Sequence, residues 1–218
     1  MGQLTRFDLN PLVETFNLKN YVETGTGLGV SLCYAIQNKS FQHLFSIEID
    51  EKLANSTSLH QNISLVQSNH QNVSVVNSNS LHGLRGLLQN KVDSSPTLFF
   101  LDAHFPGADF FDTTYGDSID NSNTAGLPLL LELAEICISR NGAKNDVIII
   151  DDLFLFDSGE FAFDREHPTH AESVRTVLRQ RDMFLGGSFT TVLKLLFGPR
   201  RKFRRFYEHQ GYMMIFPE

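Results

Sequence analysis

Val22-Glu23-Thr24-Gly25-Thr26-Gly27-Leu28-Gly29 sets three glycines at alternate positions behind an acid. The apolar pair Tyr21-Val22 leads into it, and a helical pattern from about Gly29 to Gln37 follows it. Glycines at a strand-to-helix turn let the backbone take positive φ and approach a ligand closely. A dinucleotide-binding fingerprint, G-x-G-x-x-G, would need a glycine where Val30 stands. The spacing here is instead E-x-G-x-G-x-G, with an acid two residues before the first glycine. A carboxylate there would repel a pyrophosphate and suits a cationic amino group. A tight turn with no ligand is the plain alternative.

Working outward, apolar runs alternate with helical patterns. Leu44–Ile49, Val73–Val76, Thr97–Leu101 and Val147–Ile150 read as further buried strands. Helices are expected from near Glu51, around Leu81–Leu88, and over the strongly apolar Leu127–Ile138. Continuous Ile/Val/Leu/Phe runs suit strands covered on both faces of a parallel sheet. The alternation predicts an α/β fold, a Rossmann-like doubly wound and mostly parallel sheet. Beyond residue 157, Ala171–Arg181 reads as a helix with Val174, Val177 and Leu178 on one face. Phe203–Tyr207 and Tyr212–Phe216 flank Glu-His-Gln-Gly and read as a closing antiparallel hairpin. Residues 55–80, rich in Asn, Ser, Gln and His, give the poorest element boundaries. The length suits one domain spanning 1–218.

A second acid narrows the ligand. Ser46-Ile47-Glu48-Ile49-Asp50 closes the second strand, and Glu48 lies 19 residues past Gly29. An acid at that strand end can accept hydrogen bonds from both ribose hydroxyls, which points to an adenosine-type cofactor. A solvated acid opening a helix fits Asp50 and Glu51 better than Glu48. Two more strands end in acids, at Asp102-Ala103-His104 and Asp151-Asp152. Ligands of open α/β sheets bind outside the carboxyl ends of the strands. Converging carboxylates would repel unless a cation sat among them, and oxygen-only ligation favours Mg²⁺ or Mn²⁺ over Zn²⁺. The alternative is that Asp102 contacts substrate or cofactor and Asp151 caps the next element. His104, two residues past Asp102 on an extended segment, points to the same side and suits general-base work.

The runs VETGTGLGVS, SIEID, LDAHF and VIIIDD together resemble the class I S-adenosylmethionine-dependent methyltransferases, over roughly residues 10–156. They look most like small bacterial-type O-methyltransferases, including metal-dependent catechol- and sugar-modifying types. The resemblance implies that the Gly-rich turn cradles the methionine and ribose. Glu23, Thr24, Gly25, Thr26, Gly27, Gly29 and Ser31 would be its contact residues, and Glu48 would bind the ribose. It places the adenine at the end of the third strand, where family members often carry an acid; here the position is Asn79, beside Ser80. It implies Asp102, Asp151 and Asp152 as metal ligands, Asp102 also against the cofactor, and S-adenosylmethionine with Mg²⁺ or Mn²⁺ as cofactors. The expected reaction is methyl transfer to a small hydroxylated acceptor such as a sugar or phenol, with His104 taking the proton. The alternatives are a metal-independent O- or N-methyltransferase and a catalytically silent cofactor-binding module.

Bulk properties bound the partners. The net charge of -7 argues against broad nucleic-acid affinity, which needs Lys and Arg to neutralise phosphates. Cys33 and Cys137, both in apolar stretches, read as reduced core residues of a cytoplasmic protein. The opening MGQLTRFDLN shows no signal-peptide pattern, and no run approaches a membrane span. Homo-oligomerisation is left open. Residues 105–126, long and acidic, read as a lid or as a surface excursion. His167 and His170, flanking Thr169 before a helix, read as surface residues or as tail residues approaching the site. Arg200, Arg201, Lys202, Arg204 and Arg205 read as a solvated edge or as a docking patch for an acidic substrate.

Overall fold

The computed structural model describes residues 3–104 and 127–218. The expected excursion at 105–126 lies outside the described residues. Five parallel strands form most of the sheet: β1 Asn20–Thr24, β2 His43–Glu48, β3 Asn72–Asn77, β4 Thr97–Leu101 and β5 Val147–Ile150. The C-terminal hairpin, β6 Phe203–Phe206 and β7 Tyr212–Ile215, adds two antiparallel strands. The order is β3-β2-β1-β4-β5-β7-β6, a seven-stranded, mostly parallel sheet. This is the expected Rossmann-like doubly wound arrangement.

Both faces are covered because alternate residues of each strand are apolar in both directions. On one face Tyr21, Leu44, Leu98, Phe100 and Ile149 pack under α1 Leu9–Phe16, α2 Val30–Gln37 and α4 Thr57–Val66. On the other, Val22, Phe45, Ile47, Phe99, Leu101 and Ile150 meet α5 Ser80–Asn90 and α6 Leu129–Ser139. The core of that face extends to α8 Pro168–Gln180 and α9 Phe189–Phe197. The short helices α3 Glu51–Ala54 and α7 Ala162–Glu166 complete the set. No helix among the described residues is long and apolar enough to cross a membrane.

The structure departs from the sequence reading in three places. β3 is an edge strand, so its residues are only half-buried and it is not the fully covered strand its Val residues suggested. Helices α1, α4 and α9 were not anticipated; α4 lies in the polar 55–80 stretch, where Leu59 and Ile63 alone anchor it. The basic cluster divides. Arg201 is buried and donates to the carbonyls of Ala143 and Asp146, while Arg205 pairs with Asp157 at 2.9 Å, so neither is part of a solvated edge.

The order reverses between β1 and β4, since β1 continues to β2 on one side while β4 starts the other half. A reversal opens a crevice at the carboxyl ends of the two strands. Thr24 and Leu101 are paired there, and the Asp102 N–H donates to the Thr24 carbonyl at 3.1 Å.

Candidate functional site

The Gly-rich turn springs from β1 at that crevice. Gly25, Gly27 and Gly29 have φ of 84°, 50° and 76°, all in the left-handed region that only glycine takes without cost. A Cβ on Gly25 would lie 2.7 Å from the Asp102 carbonyl oxygen, so the turn is pressed against the end of β4. A Cβ on Gly27 would meet nothing within 4 Å, so open space lies above this part of the turn. Glu48 reaches over from β2. Its Oε2 accepts from the Gly27 N–H at 2.8 Å and its Oε1 from the Asp50 N–H at 2.9 Å. The carboxylate is thereby fixed at the lip of the turn, with lone pairs to spare.

Glu23 plays a different part. It is fully buried, and its two oxygens accept from Ser46 Oγ at 2.5 Å and from the Tyr21 hydroxyl. Thr26 Oγ1 joins Ser46 Oγ, so this network ties the turn to β2. Burial pushes the Glu23 carboxyl up to about 7; the Ser46 and Tyr21 hydrogen bonds oppose this and the Glu48 charge adds to it. Between the ordinary carboxyl range and that value, the unfolded chain releases a proton the folded chain keeps. Glu23 therefore subtracts stability as pH rises through this window. We expect Glu23→Gln to gain about 1–3 kcal/mol on the wild type between pH 5 and 8 in denaturant unfolding. Parallel pH profiles for the two proteins would exclude that shift.

Ser31 and Asn79 are likewise engaged with the protein. Ser31 Oγ accepts from the Leu4 N–H at 3.2 Å and holds the N-terminal turn Leu4–Arg6 against α2. Asn79 caps α5: its Oδ1 accepts from the His82 N–H at 2.9 Å and its amide nitrogen lies 2.8 Å from His82 Nδ1. Ser80 is the first residue of that helix.

The acids past β4 and β5 converge, in a grouping that differs from the expected one. His104 Nε2 is 2.7 Å from Asp152 Oδ2, and its Nδ1 is 3.6 Å from Asp102 Oδ1. Asp102, His104 and Asp152 each offer one ligand atom, all within 4.8 Å of one another. Asp151, expected as the third ligand, is not in this group. Asp152 takes a left-handed φ of 49°. Asp151 Oδ1 folds back onto the Asp152 N–H at 2.7 Å, and its Oδ2 has no partner among the described residues. Burial, and next the Asp152 charge, push the Asp151 carboxyl well up. Asp152 Oδ1 is buried and unpartnered as well.

Three neighbours escaped the sequence reading. Arg6 donates to the Tyr212 hydroxyl at 2.5 Å, and its charge is felt by Asp151. Nothing in sequence spacing links residues 6 and 212 to a strand end. Glu132 is the third, and its signal was visible: an acid among Leu129, Leu133 and Ile136 on the buried face of a helix. His167 and His170 pack on Phe163. Cys33 and Cys137 are free thiols, only half-buried, on opposite faces of the sheet.

No protein-family model and no curated protein sequence matches the chain. Solved structures do. The SAH-bound methyltransferase PaMTH1 of Podospora anserina aligns at 14% identity with a TM-score of 0.58, covering 95% of this chain and 75% of that one. A Staphylococcus aureus protein provisionally assigned as a caffeoyl-CoA O-methyltransferase aligns at 16% identity with a TM-score of 0.52, covering 100% of this chain and 85% of that one. The chain shares its fold with these proteins.

Proposed function

We propose that the chain is an S-adenosylmethionine-dependent O-methyltransferase acting on a small hydroxylated acceptor, assisted by a divalent cation. The observation that carries this is one of place. A Gly-rich turn open at Gly27, a fixed ribose-type acid and a converging Asp102–His104–Asp152 group meet at one sheet reversal. Cofactor and acceptor chemistry then lie side by side.

The residues present fit the methyl donor. The space above Gly27 admits a ligand where any side chain would intrude, and Glu48 presents spare lone pairs to a pair of hydroxyls. S-adenosylmethionine supplies an electrophilic methyl group on a sulfonium. The turn and Glu48 fix the donor, and the acid cluster fixes the acceptor oxygen in line with it. Orientation of this kind supplies much of the rate.

The residues also fit a cation. Asp102, His104 and Asp152 would hold it, and the unpartnered oxygens of Asp151 and Asp152 are what a missing positive charge leaves. With an imidazole in the set, Mn²⁺ suits the site better than Mg²⁺, which prefers oxygen alone. A bound divalent ion would hold the acceptor hydroxyl and favour its deprotonated form.

The 2.7 Å His104–Asp152 contact favours a second reading in which no metal takes part. There His104 accepts the acceptor's proton, Asp152 orients the ring, and Asp102 touches the acceptor. A neutral imidazole has one lone pair, to give either to a cation or to a proton, so the two readings exclude one another. Calorimetric titration of Mn²⁺ and Mg²⁺ with S-adenosylhomocysteine present separates them. Binding with a 1:1 stoichiometry supports the cation; no heat, with turnover unchanged by chelator, supports the metal-free pair.

We further propose that residues 1–218 act as one domain, with a small-molecule acceptor as its main partner.

A further inference from the structure

Helix α6 is apolar toward water as well as toward the core. Leu129, Leu133 and Ile136 are buried, while Leu130, Leu131 and Ile138 are exposed. A helix that packs by one stripe normally turns charged residues to water on the other. Helix α9 repeats the pattern, with Phe189, Leu193 and Phe197 buried and Leu195 exposed. The Cys137 thiol donates to the Leu196 carbonyl at 2.8 Å, which sets the last turns of the two helices side by side. Ile138 and Leu195 adjoin these partners in sequence and are 78% and 80% exposed. They stand out from the surface rather than line a groove.

Cations collect beside them. Lys194 precedes Leu195 on α9 and is exposed. The buried Arg201 donates to the carbonyls of Ala143 and Asp146, joining the turn after α6 to the segment after α9. Lys144 lies in the first of these, Arg200 and Lys202 in the second, and all three are exposed. Of the nearby acids, Glu135 is held by Arg85 and Asp146 by Arg140, and both are buried. Glu218 alone among these acids is exposed, and its N–H donates to the Lys144 carbonyl. A chain of net charge -7 thus carries a locally positive edge around protruding aliphatic side chains. That edge lies at the amino end of the sheet, since Phe203 pairs with Ile215 and Ile215 with Ile148, near the start of β5.

We propose that this face docks on an anionic lipid bilayer, with Ile138 and Leu195 entering the headgroup layer and Lys144, Lys194, Arg200 and Lys202 meeting the lipid charges. Apolar side chains rimmed by Lys and Arg are the combination that holds a protein to such a surface. The acids elsewhere on the chain do not cancel this, because charges beyond a Debye length of about 8 Å are screened at physiological salt. A second copy fits less well, since a two-fold contact sets the same patch on itself and brings cation against cation. Protein interfaces are enriched in aromatic residues and Met, whereas the protruding residues here are Ile and Leu. The crevice at the carboxyl ends of β1 and β4 lies at the other end of the sheet and stays open to water.

The test is flotation of the full chain with vesicles of phosphatidylcholine alone and of equal parts phosphatidylcholine and phosphatidylserine. The wild type floats with the mixed vesicles and not with phosphatidylcholine. Raising salt from about 0.1 M to about 1 M releases it, as the Debye length falls from about 10 Å to about 3 Å. Ile138→Ser with Leu195→Ser weakens the partition about tenfold or more through lost apolar burial. Lys194→Gln weakens it about fivefold. These side chains face water, so the Tm of each variant stays near the wild-type value. Leu65→Ser removes an equally exposed leucine, at 82%, from α4 on the opposite face of the sheet and leaves the partition unchanged. No flotation with the mixed vesicles, equal flotation with phosphatidylcholine alone, or a loss in Leu65→Ser as large as in the double variant overturns the proposal. A dimer in analytical ultracentrifugation that the double variant dissolves gives the face to a second copy and overturns it as well.

Discussion

Gly27→Val is expected to abolish the rise in Tm that S-adenosylmethionine gives the wild-type chain. At a ligand concentration about a hundred times Kd, mass action adds about 2.7 kcal/mol, or about 5–10 °C for a chain of this size. The substitution acts at a chosen point. A Cβ there meets no atom of the described residues within 4 Å, so the described core is untouched. The branched side chain projects into the space above the turn, and a φ of 50° strains it by about 1–2 kcal/mol. The folded variant therefore melts somewhat lower and gains nothing from the ligand. Thermal unfolding of both proteins with and without S-adenosylmethionine checks this. A full ligand shift in Gly27→Val would remove the turn from the site.

Asp152→Asn carries the second large effect. Asn tolerates the left-handed backbone that Asp152 occupies, so the change removes a charge and keeps the turn. If Asp102, His104 and Asp152 share a cation, Mn²⁺ affinity falls about a hundredfold, while S-adenosylhomocysteine affinity changes little. In the proposed site the cofactor would be held by the Gly-rich turn and Glu48, on the neighbouring strands. Titration of the metal and the cofactor separately on the folded variant measures both. Equal losses for the two ligands would mean that the acids serve the cofactor and not a cation.

The sheet was legible in the sequence because strands buried on both faces have no polar alternation to confuse them. Leu98-Phe99-Phe100-Leu101 and Val147–Ile150 show this. The Gly-rich turn was legible because positive φ restricts residue type, and all three glycines use it. The grouping of the acids was not. Spacing along the chain places Asp151 and Asp152 together, but Asp151 folds back onto the Asp152 N–H, and His104 joins Asp102 and Asp152 in its place. Sequence position could not say that Asn79 and Ser31 are occupied by a helix cap and by the N-terminal turn. Nor could it bring Arg6 to Tyr212, whose contact depends on the whole fold being formed. Glu132 was a readable exception passed over, a charge at a core position of an apolar helix. Helix α4 was missed because its sequence is polar and only Leu59 and Ile63 bury it.

The most direct test of the methyl-donor site is calorimetric titration of S-adenosylhomocysteine into the wild type and into Glu48→Ala. Glu48 both supports the turn and keeps acceptor capacity at its lip. The expected result is a single site of micromolar affinity in the wild type, weakened in the folded variant by about 1–3 kcal/mol, the loss of hydrogen bonds to a charged group. No binding to the wild type, or equal affinity in the two proteins, would contradict it.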